Sequence, residues 1–222
     1  MINIRKKGRT LITGFHGIGL VGFIAMDYMV RKLKAEKVGW AFENDMPSVV
    51  FASPGDLEMP IEFYKKDDLI FMKVNAIMER DVMNSFISRL VPAIKKKGIR
   101  EMVVIGGLAV NEKGVFGISN EKGKDLMKKL KLKRIQTDVT VFGPMASMMI
   151  YGEAEKIAAA CILPNAKTNL PDPEAASRAI KKIAKAYSFR ITTKDLEKEA
   201  VRIQNRVKEL EKKDEMADRM FV

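Results

Sequence analysis

The chain has 222 residues, 47% hydrophobic and 31% charged, which is enough apolar content for a buried core and too much for a disordered tail. One cysteine (Cys161) excludes an internal disulfide framework, and one histidine (His16) excludes a Cys/His metal cluster and leaves Ser/His/Asp catalysis a thin basis. The formal charge of +12, from 40 Lys+Arg against 28 Asp+Glu, suits nucleic acid, an acidic protein surface or plain solubility, but without aromatic interleaving or a binding motif no specific nucleic-acid partner is expected.

In chain order, Thr10–Phe15 reads as a short buried strand, followed by a glycine-rich turn over Gly14–Gly22. Leu20, Phe23, Ile24, Met26 and Val30 then recur at helical spacing up to Leu33. Val38–Glu43, Val49–Ala52, Ile61–Tyr64 and Leu69–Ala76 read as strands, with turns at Pro47, Pro54-Gly55 and Asp67-Asp68. The last three have no helix between them, so an antiparallel hairpin is expected near Ser48–Ala76. Val82–Lys97 is an amphipathic helix that Pro92 should kink. Met102–Ile105 is a strand ending in Gly106-Gly107, Glu121–Leu130 a helix, and Val139–Phe142 a strand. Gly143-Pro144 opens a methionine-rich helix to Tyr151, Ile157–Leu163 is the last apolar strand, and Asp172-Pro173 starts a helix whose apolar face holds Ala176, Ala179, Ile180, Ile183, Ala184 and Tyr187.

Strands alternating with helices predict an α/β/α sandwich with a largely parallel sheet, an antiparallel hairpin and a C-terminal helix. The division expected is a core domain over 1–190, an amphipathic helix over 191–215 and a tail over 216–222. Thr193 can cap that helix, and Leu196, Ala200, Ile203, Val207 and Leu210 make a short heptad seam. The seam fits either a contact between subunits or a helix docked on its own domain. No apolar run reaches the roughly 18–20 residues of a membrane span, and Met1–Thr10 has no secretory h-region, so a cytoplasmic protein without a membrane partner is expected.

Gly17-Ile18-Gly19-Leu20-Val21-Gly22 matches G-x-G-x-x-G between a strand and a helix, the setting of a dinucleotide fingerprint. Gly17, Gly19 and Gly22 would let a pyrophosphate approach backbone N–H groups, and Glu43 ends the next strand, where a ribose-binding acid could sit. The plainer alternative is a turn that packs a helix close to a sheet. His16 lies in this turn with no visible catalytic partner. A phosphate loop fails at Gly117–Lys124, which is one residue too long and has Asp125 where Ser or Thr belongs. The basic residues Lys122, Lys124, Lys128, Lys129, Lys131, Lys133 and Arg134 decorate one stretch and read as a solvated helix face. No catalytic set, metal site or cofactor is expected.

Taken together, Gly14-Phe-His-Gly-Ile-Gly-Leu-Val-Gly22, Met46-Pro47, Met102–Gly107, Gly143-Pro144 and Leu170–Ala176, in that order, resemble the archaeal proteasome assembly chaperone family. The resemblance runs from about Thr10 to Leu210. It implies an α/β sandwich, no cofactor, no enzymatic activity, a homo-oligomer with tetramer and pentamer as candidates, and proteasome α subunits or the core particle as partners. It also implies a role for the C-terminal tripeptide, because proteasome activators end in hydrophobic–tyrosine–any residue. Here Met220 is the hydrophobic residue, Phe221 stands where tyrosine is usual, and Val222 supplies the carboxylate. Such a tail can enter an intersubunit pocket while its carboxylate meets a lysine. The missing hydroxyl bears on gate opening more than on binding. The competing expectation is a nucleotide-binding protein or enzyme using residues 17–22.

Overall fold

The computed structural model describes residues 1–53, 55–136 and 138–201. Its strands and helices, in order, are β1 (Ile2–Ile4), β2 (Thr10–Gly14), α1 (Val21–Lys32), β3 (Glu36–Ala41), β4 (Phe51–Ser53), β5 (Asp56–Glu58), β6 (Ile61–Lys66), β7 (Leu69–Val74), α2 (Arg80–Lys96), β8 (Glu101–Ile105), β9 (Val115–Ser119), α3 (Lys124–Lys129), β10 (Lys133–Arg134), α4 (Pro144–Ala154), β11 (Ala158–Pro164) and α5 (Pro173–Ala186). Residues 194–201 are also helical.

Nine strands form one sheet in the order β1-β3-β6-β7-β2-β8-β11-β9-β10, and β4 pairs with β5 in a separate antiparallel hairpin. The four central strands, β7, β2, β8 and β11, run parallel. The flank made by β1, β3, β6 and β7 is antiparallel, as expected of the segment without helices. On the other side β9 lies antiparallel to β11 and parallel to β10.

The central strands are apolar on both faces, which is why they read as continuous hydrophobic runs. In β8, Met102 and Val104 enter one core while Val103 and Ile105 enter the other. In β11, Ala159, Cys161 and Leu163 alternate likewise with Ala160 and Ile162. Phe86, Ile87 and Leu90 of α2 and Met148 of α4 cover the first face. Met26 and Met29 of α1 and Ile180 and Ile183 of α5 cover the second. This is the predicted α/β/α layering. The start of α5 is also as expected: Asp172 accepts a hydrogen bond from the Ala175 amide at 2.9 Å and Pro173 follows.

Three local expectations need correction. Val139–Phe142 is not a strand; the edge of β9 is taken by β10 instead. The stretch Glu121–Leu130 divides into a 3-10 turn, Glu121–Gly123, and the short α3. The Asn120 carboxamide oxygen fixes that turn by accepting from the Gly123 and Ala159 amides, both at 2.9 Å. Finally, α2 begins two residues before Val82.

Candidate functional site

The chain leaves β2 toward β3 on one side of the sheet and leaves β8 toward β9 on the other. In an open α/β sheet a crevice forms at the carboxyl ends of strands where the chain path diverges in this way, and ligands favour it. Here that place holds a cavity of about 240 Å³, lined by Phe15, His16, Ile18, Leu108, Phe142 and Met145 among others. Ligand pockets are commonly about 300–1,000 Å³, so the space is small for a dinucleotide. Among the described residues, His16 is the only ionisable side chain in the lining. It stacks on Phe23, ring centroids 4.5 Å apart, and burial holds its pKa below the usual histidine value. Among the described residues no lysine or arginine lines the crevice to meet a pyrophosphate.

Gly22 and Gly19 are explained by packing and backbone conformation. A methyl group on Gly22 would stand 2.6 Å from the Ile105 carbonyl oxygen and equally close to the Phe15 nitrogen, so α1 sits directly on β2 and β8. Gly19 has φ +61°, and its carbonyl accepts from the Asp172 amide at 2.8 Å, tying the turn to the start of α5. Gly17 is extended, with open space around its α-carbon. Glu43 stands far from the site proposed for it. It lies two residues beyond β3, which is separated from β2 by β6 and β7, and its carboxylate accepts from Arg89 Nε at 3.0 Å.

The PAC2 family model matches residues 11–211. The chain belongs to the PAC2 family. A relative in Methanocaldococcus jannaschii is 25% identical over 209 residues, spanning 93% of this chain and 87% of its own. Among solved structures the fold is similar to Pyrococcus furiosus PbaA, an archaeal homolog of proteasome-assembly chaperone (TM-score 0.84, 19% identity, 99% of this chain and 95% of that one). It is also similar to P. furiosus PbaB, an archaeal proteasome activator (TM-score 0.80, 19% identity, 95% and 98%).

Within this PAC2 chain the first two seam positions face inward. Leu196 and Ala200 are 7% and 6% exposed, and Leu196 joins the core shared by α1 and α5. Tyr28 donates to the Thr192 carbonyl at 2.7 Å, and ion pairs Lys32–Asp195 and Lys181–Glu197, both 2.6 Å, flank the contact. Ile203, Val207, Leu210 and the tripeptide Met220, Phe221 and Val222 lie outside the described residues.

The basic stretch is not one helix face, because α3 ends at Lys129 while Lys133 and Arg134 belong to β10. Several of its lysines are paired: Lys124 with Glu121, Lys128 with Asp125, Lys129 with Glu101 and Lys133 with Glu112. Cys161 is fully buried, and burial pushes its thiol up to about 12, which suits a core residue rather than a nucleophile. Among the described residues no group of three His, Cys, Asp or Glu could hold a metal, and no helix is long and apolar enough to cross a membrane.

Sequence reasoning missed three exposed apolar side chains. Ile77, Phe142 and Ile150 are 77%, 72% and 64% exposed. Ile77 and Phe142 line one shallow groove beside the crevice, and Ile150 projects from α4. The signal was available, since Pro144–Ala154 carries no polar stripe of the kind a surface helix needs.

Proposed function

We propose that this PAC2 protein is a non-enzymatic proteasome assembly chaperone or activator homologue, acting in the cytoplasm. It binds proteasome α subunits or the core particle as a homo-oligomer that presents several C-terminal tails. The observation that carries this reading is the likeness of nearly the whole fold to both PbaA and PbaB, joined to family membership over residues 11–211. The exposed Ile77 and Phe142, which line one groove, support self-association, because adjoining exposed apolar side chains are a common mark of a protein contact. Multivalency matters here. A single Met220-Phe221-Val222 tail binds weakly, but once one tail is held the next binds intramolecularly at high effective concentration.

Co-sedimentation and peptidase assays with purified archaeal core particles and α subunits test the proposal, comparing the full chain with one ending at Arg219. Binding lost on truncation supports the tail as the docking element, and a changed peptidase rate then favours activator over chaperone. Binding kept on truncation moves the interface to the folded body. Absence of binding by both chains rejects the proposal for this protein.

A further inference from the structure

Helix α5 carries a second stripe beside its apolar one. Arg178, Lys181, Lys182 and Lys185 fall at i, i+3, i+4 and i+7, so four cations share one face. Across from them stand Lys129 and Lys131 at the end of α3. Between the two lies a groove of about 420 Å³ whose floor is apolar, made by Val115 and Leu130.

Three of the six cations are neutralised locally. Arg178 pairs with Glu174 at 3.0 Å, Lys181 with Glu197 at 2.6 Å and Lys129 with Glu101 at 3.0 Å. Lys131, Lys182 and Lys185 have no carboxylate in ion-pair range among the described residues. The Lys182 ammonium instead donates to the Lys131 main-chain carbonyl at 2.5 Å. Burial, then the charges of Lys131, Lys185 and Lys133, hold its pKa below the usual lysine value. The fold thus keeps like charges together over an apolar floor, an arrangement that a bound anion relieves.

We infer that this groove docks an acidic, leucine-bearing segment of a partner protein. Carboxylates would meet the unpaired lysines, and an aliphatic side chain would cover Val115 and Leu130. A single-stranded nucleic acid fits less well. Such ligands need aromatic faces for base stacking, and among the described residues no aromatic side chain lines the groove. The inference makes no use of the C-terminal tripeptide, and its test needs no proteasome.

Fluorescence anisotropy with a dye-labelled peptide of Glu-Leu-Glu-Glu repeats, at low salt, reads the proposal directly. The full-length chain is expected to bind it. The variant K131E/K182E/K185E should lose about tenfold or more in affinity, whereas K7E/K66E/K96E, with the same change in net charge on other faces, should lose much less. A peptide with serine in place of leucine should bind more weakly than the parent. If charge reversal unfolds the protein, K131Q/K182Q/K185Q preserves the side-chain stems and should still bind more weakly than the control. Equal affinity of groove and control variants overturns the site. Tighter binding of a single-stranded oligonucleotide, lost in the groove variant, overturns the assignment to an acidic protein segment.

Discussion

Gly14 and Gly22 touch backbone to backbone: a methyl group on Gly14 would stand 2.5 Å from the Gly22 carbonyl oxygen. The end of β2 and the first turn of α1 are therefore in direct main-chain contact. Neither partner is the far end of a flexible side chain, so neither can move aside cheaply.

Gly22→Ala should consequently lose about 2–3 kcal/mol or more of stability in urea denaturation, as overpacking does where relief must come from the backbone. Gly17→Ala should stay within about 0.5 kcal/mol of the parent, because its surroundings are open and its backbone extended. A phosphate cradle predicts a different pattern, in which Gly17→Ala impairs a ligand-dependent rise in melting temperature. A costly Gly17→Ala in ligand-free protein would contradict the packing account.

His16 is the only histidine, so proton NMR reports it without assignment. Burial holds its folded pKa below the usual histidine value of about 6.5, so its titration midpoint should fall below that value. A depressed histidine means that the unfolded chain binds the proton more readily. Stability should therefore decline as pH drops below about 6.5, and His16→Phe, which can keep the stack on Phe23, should flatten that part of the profile.

Glu101 shows a linkage of the same sign from a different cause. Burial pushes its carboxyl up, but hydrogen bonds from Lys129, Tyr187 and Thr10, with the Lys129 charge, bring it below the usual value. The stability it contributes is present above the ordinary carboxylate range and lost as pH falls through the folded pKa. Glu101→Gln should cost about 1 kcal/mol at neutral pH, and the gap should narrow below about pH 4.

Cys161 should resist thiol reagents in the native state, with its pKa near 12 and its side chain fully buried. Labelling with a disulfide-exchange reagent should be slow without denaturant and complete with it. Fast labelling of native protein would place Cys161 outside the core.

Ile150→Lys tests whether α4 takes part in self-association. At 64% exposure the substitution should leave the unfolding free energy within about 0.5 kcal/mol of the parent. Analytical ultracentrifugation should nevertheless show a smaller species. An unchanged sedimentation coefficient would remove α4 from the self-association surface.

What could be read from the amino-acid order follows how local each signal is. The helices α1 and α5 were legible because apolar spacing spans several turns and Asp172-Pro173 marks a start on its own. Strands β1 and β10 have only three and two residues, too few for a period, and β9 holds Gly117, which reads as a break. Val139–Phe142 has strand composition, yet a strand also needs a free edge, and that lies elsewhere in the chain. The glycine turn was the hardest case. G-x-G-x-x-G between strand and helix looks the same whether it faces a phosphate or packs against a carbonyl, and the deciding neighbour, Ile105, is 83 residues away (105 − 22). The seam was half legible for the same reason: heptad spacing located the apolar side of Leu196 and Ala200 but not what they would meet.

The nine-stranded sheet begins and ends with its two shortest strands, Ile2–Ile4 and Lys133–Arg134, and the second is wholly exposed and cationic. Short, charged edges offer an incoming strand little ladder to extend. Fibril-like growth by strand addition is thereby discouraged in a protein proposed to gather several copies of itself. Assembly through side-chain faces can instead close into a finite ring and be tuned one substitution at a time.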